Sequence, residues 1–275
     1  MAIDTDRVRI GKLYINRVSM AQVIQNVPDL IDTGVPRHFV TVNMNFLSRA
    51  EKNPSFAQVV NSADLNVADG KPLLWLSRLL GSAIPERITG HDMLHACSQL
   101  AELKGYSVFF LGAGDGVAEA AAANLKRTYP GLKVAGMYQG MFTKDGYGVT
   151  DADEQGALDA IQKCRPNFLF VAMGCPKQEF WIHNHKNLAG ANISIGIGSV
   201  LDVLAGHVNR APGWMQRSGM EWLFRLKQEP KRLWERYLLE DMPTGTKVAL
   251  AALAHNSPFY RHSEVKVLSR GTDKD

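Results

Sequence analysis

The sequence predicts an α/β fold: a parallel-sheet, Rossmann-like core carrying a C-terminal helical appendage. Three observations carry that expectation. Short apolar, β-branched runs alternate with helical patterns along most of the chain, as parallel α/β folds require. The run Tyr106 to Leu111 leads through a glycine-rich turn into an alanine-rich helix pattern, the order of a βαβ unit. Finally, Arg210 to Tyr237 interleaves arginines, tryptophans and helix signals at high density.

The elements follow in order. His38 to Asn43 is a β-branched run, with a helix-like stretch after it through Glu51. Leu65 to Ala68 is a second strand, closed by Asp69-Gly70 and followed by an apolar helix pattern. Thr89-Gly90-His91-Asp92 offers N-cap chemistry for a helix through Leu103. Tyr106 to Leu111 reads as a buried strand and Val117 to Tyr129 as a helix. Lys133 to Met137, Phe168 to Met173 and Ile193 to Ile197 continue the strand series, with a loop between Thr143 and Gln155. A helix is expected from about Trp214 to Gln228, and Pro230 reads as the first residue of the next. Beyond Asp241 the pattern weakens to a short apolar turn at Val248 to Leu253, and the residues from Ser269 read as a frayed tail.

Composition narrows the function. A chain of 275 residues can bury a sizeable core. It has no run of about eighteen apolar residues that would mark a membrane span. The N-terminus lacks the basic start and apolar stretch of a signal peptide. Three widely spaced cysteines fit reduced cytosolic thiols, and none pairs with histidine at zinc spacing. The net charge of +4 gives a general nucleic-acid role little support.

Several motifs then carry chemistry. The turn Gly112-Ala113-Gly114-Asp115-Gly116 sits where backbone N–H groups can cradle a phosphate, and close strand-to-helix packing explains it equally well. It is not a dinucleotide fingerprint: the third glycine comes one residue early and no acid follows the strand ending near Met137. Asp69-Gly70 is an ordinary turn pair, yet open α/β sheets bind ligands at the carboxyl ends of strands, where Thr41 and Asn43 also lie. A carboxylate there could act as general base on a sugar hydroxyl. Capping explains Asp92 more simply. In Gly174-Cys175-Pro176-Lys177-Gln178-Glu179, a lysine and a glutamine open a helix at a sheet end; Lys177 would suit a diphosphate or simply stand in solvent. Cys175 has no recognisable partner and reads as an inert thiol. Arg232 and Arg236, four apart, share a helix face, and Arg225 approaches the same end; an amphipathic pair with solvated arginines is the plainer alternative.

The chain resembles the WecG/TagA/CpsF family of bacterial glycosyltransferases. The matching pieces include TVN at Thr41–Asn43, ADG at Ala68–Gly70, ERITGHD at Glu86–Asp92, MGCPKQEFW at Met173–Trp181, RAPGW at Arg210–Trp214 and MEWLFRLKQEPKRLWERY at Met220–Tyr237. They run in order from about residue 10 to residue 241. The resemblance implies a GT-E type core and a metal-independent, cofactor-free, inverting transfer of a hexose from a UDP-sugar to a polyprenyl-diphosphate-linked saccharide. It implies a cytoplasmic protein, peripheral on the inner face of the cytoplasmic membrane, working in cell-surface polysaccharide synthesis. It makes Asp69 the catalytic base with Thr41 beside it, and Asn43, Arg87 and Gln178 pocket residues. Arg225 and Arg232 match arginines of an appendage that reaches over the site to the membrane and the diphosphate. Gly112, Gly114 and Lys177 would lie near the UDP. Where the family often has a basic residue this chain has Glu235, so Arg236 is expected to serve instead.

On this reading residues 1–206 form the catalytic core, 207–243 the membrane-proximal appendage and 244–275 a tail. Self-association stays open, as does the sugar: glucose, N-acetylmannosamine or its uronic acid. Two alternatives from other classes are a non-catalytic membrane-docking subunit of a transferase and a nucleotide-sugar oxidoreductase or epimerase.

Overall fold

The computed structural model of the protein describes residues 6–139 and 151–255. It opens with an antiparallel hairpin that the sequence reading did not mark, β1 (Arg7–Ile10) and β2 (Leu13–Asn16). Each strand is only four residues long, too short for its alternation of buried and exposed side chains to stand out. A capping box at Ser19 and Gln22 then starts α1 (Met20–Asp32).

The core follows as β3 (Arg37–Val42), α2 (Met44–Lys52), α3 (Pro54–Asn61), β4 (Leu65–Ala68), α4 (Lys71–Leu79), α5 (Gly90–Lys104), β5 (Ser107–Gly112), α6 (Val117–Thr128) and β6 (Lys133–Tyr138). It is completed by α7 (Asp151–Cys164), β7 (Phe168–Ala172), α8 (Lys177–Ala189), β8 (Ile193–Gly196) and α9 (Val200–Leu204). Six strands pair in parallel in the order β4-β3-β8-β7-β5-β6. The predicted parallel α/β class is therefore the observed one. Most of the loop expected between Thr143 and Gln155 lies outside the described residues, and α7 already begins at Asp151.

The strands β4, β7 and β8 are buried at every position, because helices cover both faces of the sheet. Phe110, Phe168 and Phe170 pack on one face with α1, α5, α6 and α9. Phe109, Leu111, Leu169 and Val171 pack on the other with α7 and α8, while α2, α3 and α4 cover Val40, Val42 and Ala68. The chain thus leaves β3 toward one face and leaves β8, its neighbour, toward the other. That divergence opens a crevice at the carboxyl ends of the two strands, where ligands bind in open α/β sheets.

The C-terminal part departs from expectation in two places. The helix expected over 214–228 is two helices, α10 (Gly213–Ser218) and α11 (Glu221–Gln228). Gly219 divides them: its φ of 79° puts it in the left-handed region that ends helices. Pro230 does open α12 (Pro230–Glu235), which runs on through a π-helical segment, Arg236–Asp241. The expected tail is helical over its described part, as α13 (Met242–His255); the remainder lies outside the described residues. Val248 and Ala252 are buried, and α13 packs on α4 and α2, so apolar contacts fold this segment back onto the core.

At the end of β5, Gly112 has a φ of 93°, and a Cβ there would stand 2.9 Å from the Ala172 carbonyl oxygen of β7. Close packing of two strand exits thus accounts for this glycine. Gly112→Ala combines a left-handed backbone with a backbone clash and is expected to cost about 2–4 kcal/mol. Urea unfolding checks this; an unchanged midpoint would mean the β5 exit tolerates a side chain.

Candidate active site

Four strand ends converge on one cavity of about 950 Å³. From β3 come Thr41 and Asn43, from β4 Asp69, from the β7 exit Gln178, and from the β8 exit Gly198. Arg87, Arg225 and Arg236 line it as well. The volume lies at the top of the range for a single bound small molecule, enough for more than one substrate group.

Each side chain is held locally. The backbone N–H of Asp69 donates to Val42 O at 2.6 Å, tying the end of β4 to that of β3. Gly70 follows with a φ of 127°, turning the chain sharply into α4. Asn43 caps α2, its Oδ1 accepting from Asn45 N at 3.1 Å. The buried Thr41 hydroxyl donates to Gly196 O at 3.4 Å. Gln178 joins two exits, its Oε1 accepting from Gly174 N at 3.2 Å and Gly198 N at 3.0 Å.

The electrostatics single out Asp69. Burial pushes its carboxyl from an ordinary 3.8 to about 7; Glu221 adds to the rise, Arg225 and Arg87 oppose it, and Asp92 adds a little more. A carboxylate poised near neutrality suits a general base. Arg87 donates to Glu221 Oε2 at 2.9 Å, both side chains being largely shielded. The appendage thus reaches the core beside Asp69. Arg210 makes a second fastening, to Asp92 Oδ1 at 3.1 Å and His91 Nδ1 at 2.9 Å. Because a guanidinium only donates, His91 Nδ1 must accept. Burial, then Arg210, lowers the His91 pKa to about 4, which keeps the ring neutral. Asp92 also completes the expected capping box with Thr89.

The expected site residues divide. Thr41, Asn43, Asp69, Arg87, Gln178, Arg225 and Arg236 come together around the cavity. Gly112, Gly114 and Lys177 do not line it; Gly112 is taken up by strand packing and Lys177 opens α8. The Arg232 side chain lies outside the described residues. Burial raises the Cys175 thiol well above its ordinary value, in keeping with an inert thiol. Among the described residues, no group of three acidic, histidine or cysteine side chains is placed to hold a metal.

Reading the sequence missed Glu221, Arg210 and Glu179. Glu179 is buried, and burial lifts its pKa to about 7 against a hydrogen bond from Gln178 Nε2 at 2.7 Å. A Cβ at Gly196 would meet that Nε2 at 2.5 Å, so glycine in β8 makes room for the pair. A glutamate directly following Gln178, just behind a buried strand, was the available signal.

The raised pKa of Asp69 has a thermodynamic consequence. The folded chain holds this proton more tightly than the unfolded one, so stability falls as pH rises from about 4 to about 7. Asp69→Asn stays neutral and is expected to be more stable than the parent at pH 8, with the gap closing toward pH 4. Denaturant unfolding at both pH values tests this, and equal stability at pH 8 would show that burial does not oppose ionisation here.

Known proteins match this arrangement over most of its length. The model of the "Glycosyl transferase WecG/TagA/CpsF family" matches residues 8–258. A Bacillus spizizenii protein named N-acetylglucosaminyldiphosphoundecaprenol N-acetyl-beta-D-mannosaminyltransferase is 34% identical over 208 residues, 76% of this chain and 77% of that one. Proteins of the same name are 32% identical in Bacillus subtilis (85% of this chain, 87% of that one) and 28% identical in Staphylococcus aureus (84% and 88%). A family match spanning the sheet, the cavity and the appendage together makes the conclusion plain: this chain belongs to the WecG/TagA/CpsF family of glycosyl transferases.

Proposed function

We propose that this chain is an inverting glycosyltransferase that moves a hexosamine from a UDP-sugar to a hydroxyl of a polyprenyl-diphosphate-linked saccharide. Asp69 carries the reading: a carboxylate with a pKa near 7, at a strand end, acted on by the guanidinium groups of Arg87 and Arg225, in a cavity roomy enough for two substrates. Asp69 takes the proton from the acceptor hydroxyl as its oxygen bonds to the anomeric carbon. The bond from that carbon to the UDP oxygen breaks on the opposite face, and its electron pair leaves with UDP. Arg87 and Arg225 offset the charge that develops on the departing diphosphate. Thr41 and Asn43, at the β3 end, are the side chains offered to the sugar, and Gln178 sets the loops around it.

The relatives' names point to N-acetylmannosamine as the first donor to try and to N-acetylglucosaminyl-diphosphoundecaprenol as the first acceptor. The appendage supports a lipid-linked acceptor. Trp214, Trp222, Leu223, Trp234, Leu238 and Leu239 are all exposed, an apolar display suited to the interfacial zone of a membrane. No described helix is long and apolar enough to cross one. We read residues 207–243 as the unit that brings the core to the lipid surface.

Two outcomes are expected. Release of UDP from UDP-N-acetylmannosamine should depend on a lipid-diphosphate-linked N-acetylglucosamine, and Asp69→Asn should lower it by roughly 10²–10⁴-fold. Acceptor-dependent turnover by the variant at the parent rate would remove Asp69 from the mechanism. Glu221→Gln removes a negative charge that raises the Asp69 pKa, so the acidic limb of kcat/KM should move to lower pH. A limb that stays in place would separate Glu221 from the base.

A further inference from the structure

One end of the cavity, built around His91, is left unused by the chemistry at Asp69. Gly90 and His91, at the start of α5, line it with Val200, Asp202 and Val203 of α9 and with Arg210. The two helix starts meet closely: a Cβ on Gly90 would stand 3.5 Å from Val200 Cγ2 and 3.4 Å from Ile197 O. This end also lies beside the base, because Asp92, the residue after His91, acts on the Asp69 carboxyl.

The His91 ring is fixed from two sides. Arg210 Nη1 lies 2.9 Å from its Nδ1, and His95 packs against it with ring centroids 4.5 Å apart. His95 is tied in turn, through Nδ1, to the Tyr129 hydroxyl at 3.1 Å. Since Nδ1 must accept from the guanidinium, the neutral ring carries its hydrogen on Nε2. Among the described residues nothing bonds to that Nε2, and it is not sealed from solvent. An oriented N–H donor is thus left over in the cavity wall, and its partner must be an acceptor. Arg210 is already matched by Asp92 Oδ1 at 3.1 Å, and Asp202 adds negative charge to the same wall, which disfavours an anion. Val200 and Val203 supply apolar surface alongside. A neutral carbonyl oxygen next to a methyl group, as in an acetamido substituent, satisfies both.

We propose that His91 is a specificity-determining residue of the donor site. Its Nε2–H donates to the carbonyl oxygen of the donor sugar's N-acetyl group, while Val200 and Val203 receive the methyl. The inference rests on the glycosyl-transfer reading, which makes the ligand a UDP-sugar. The anomeric carbon must come to the acceptor hydroxyl at Asp69. That requirement brings the adjacent ring carbon, which bears the acetamido group, within reach of the same end. A site built to hydrogen-bond a substrate group rejects the analogue that lacks it. Arg210 is then a positioning residue, which sets the ring nitrogen that bears the hydrogen without touching the sugar.

Calorimetric titration of the full chain with UDP-N-acetylmannosamine and UDP-mannose tests this, since the two differ only in the substituent on that carbon. The parent is expected to prefer the N-acetyl donor by about tenfold, and His91→Phe to lose that preference. His91→Gln keeps an N–H near the Nε2 position and is expected to hold the preference within about threefold of the parent. Nitrogen-15 spectra of the histidine rings should place the His91 hydrogen on Nε2 in the parent, and on either nitrogen in Arg210→Ala. An unchanged preference in His91→Phe, or its complete loss in His91→Gln, would overturn the assignment. A parent that binds both donors alike, or neither, would do the same, as would a His91 hydrogen on Nδ1. Turnover with a lipid-linked acceptor reports on the transfer reading separately: a preference set by His91 without any transfer would sink that reading and leave this one standing.

Discussion

A carboxylate that is half shut away from water is tolerable only when cations lie nearby, and Asp69 meets that condition through Arg87 and Arg225. Neither cation belongs to its own strand. Arg87 comes from the loop before α5, and Arg225 from α11 in the appendage. Glu221 on α11 then binds Arg87 and acts on Asp69 as well, so one ion pair both helps to hold the C-terminal helices in place and contributes to the raised Asp69 pKa. The site is complete only when core and appendage are together.

The appendage is held accordingly. Arg210 grips Asp92 and His91, Ser48 donates to Asp241, and Lys52 pairs with Glu240 at 2.7 Å. The shielded contacts matter most, since an exposed pair such as Lys52–Glu240 contributes little. Leu233 and Tyr237 turn inward, while Trp214, Trp222 and Trp234 stay on the surface. The helices thus divide their side chains between the core and the outside.

At the cavity wall Gln178 is backed by the buried Glu179. All of the Gln178 amide contacts described are to fixed groups: two backbone N–H groups and the buried Glu179 carboxyl. With its pKa near 7, Glu179 can remain protonated well above the usual carboxylate range, which lessens the cost of burying it. The absence of a side chain at Gly196 allows this packing, so a glycine in β8 helps set the spacing of the β7 and β8 exits.

Much of this was legible in the sequence because it is local. Buried strands show as β-branched and aromatic runs, and Thr89–Asp92 and Pro230 announce helix starts through capping and φ preference. Asp69, Thr41, Asn43 and Gln178 could be placed at strand ends because a sheet covered on both faces binds ligands at the carboxyl ends of its strands. Other features are long-range and were hidden. The Gly112 turn suits a phosphate cradle and close packing equally well, and only the approach of β7 favours packing. Gly219 breaks a helix that hydrophobic spacing alone would have continued. Glu221 lies 134 residues from Arg87, and no local pattern pairs them. The sequence by itself determined the six core strands, the order of the motifs and the family. Which charges meet around Asp69 was decided only by tertiary structure, because burial and ion pairing depend on where distant segments come to rest.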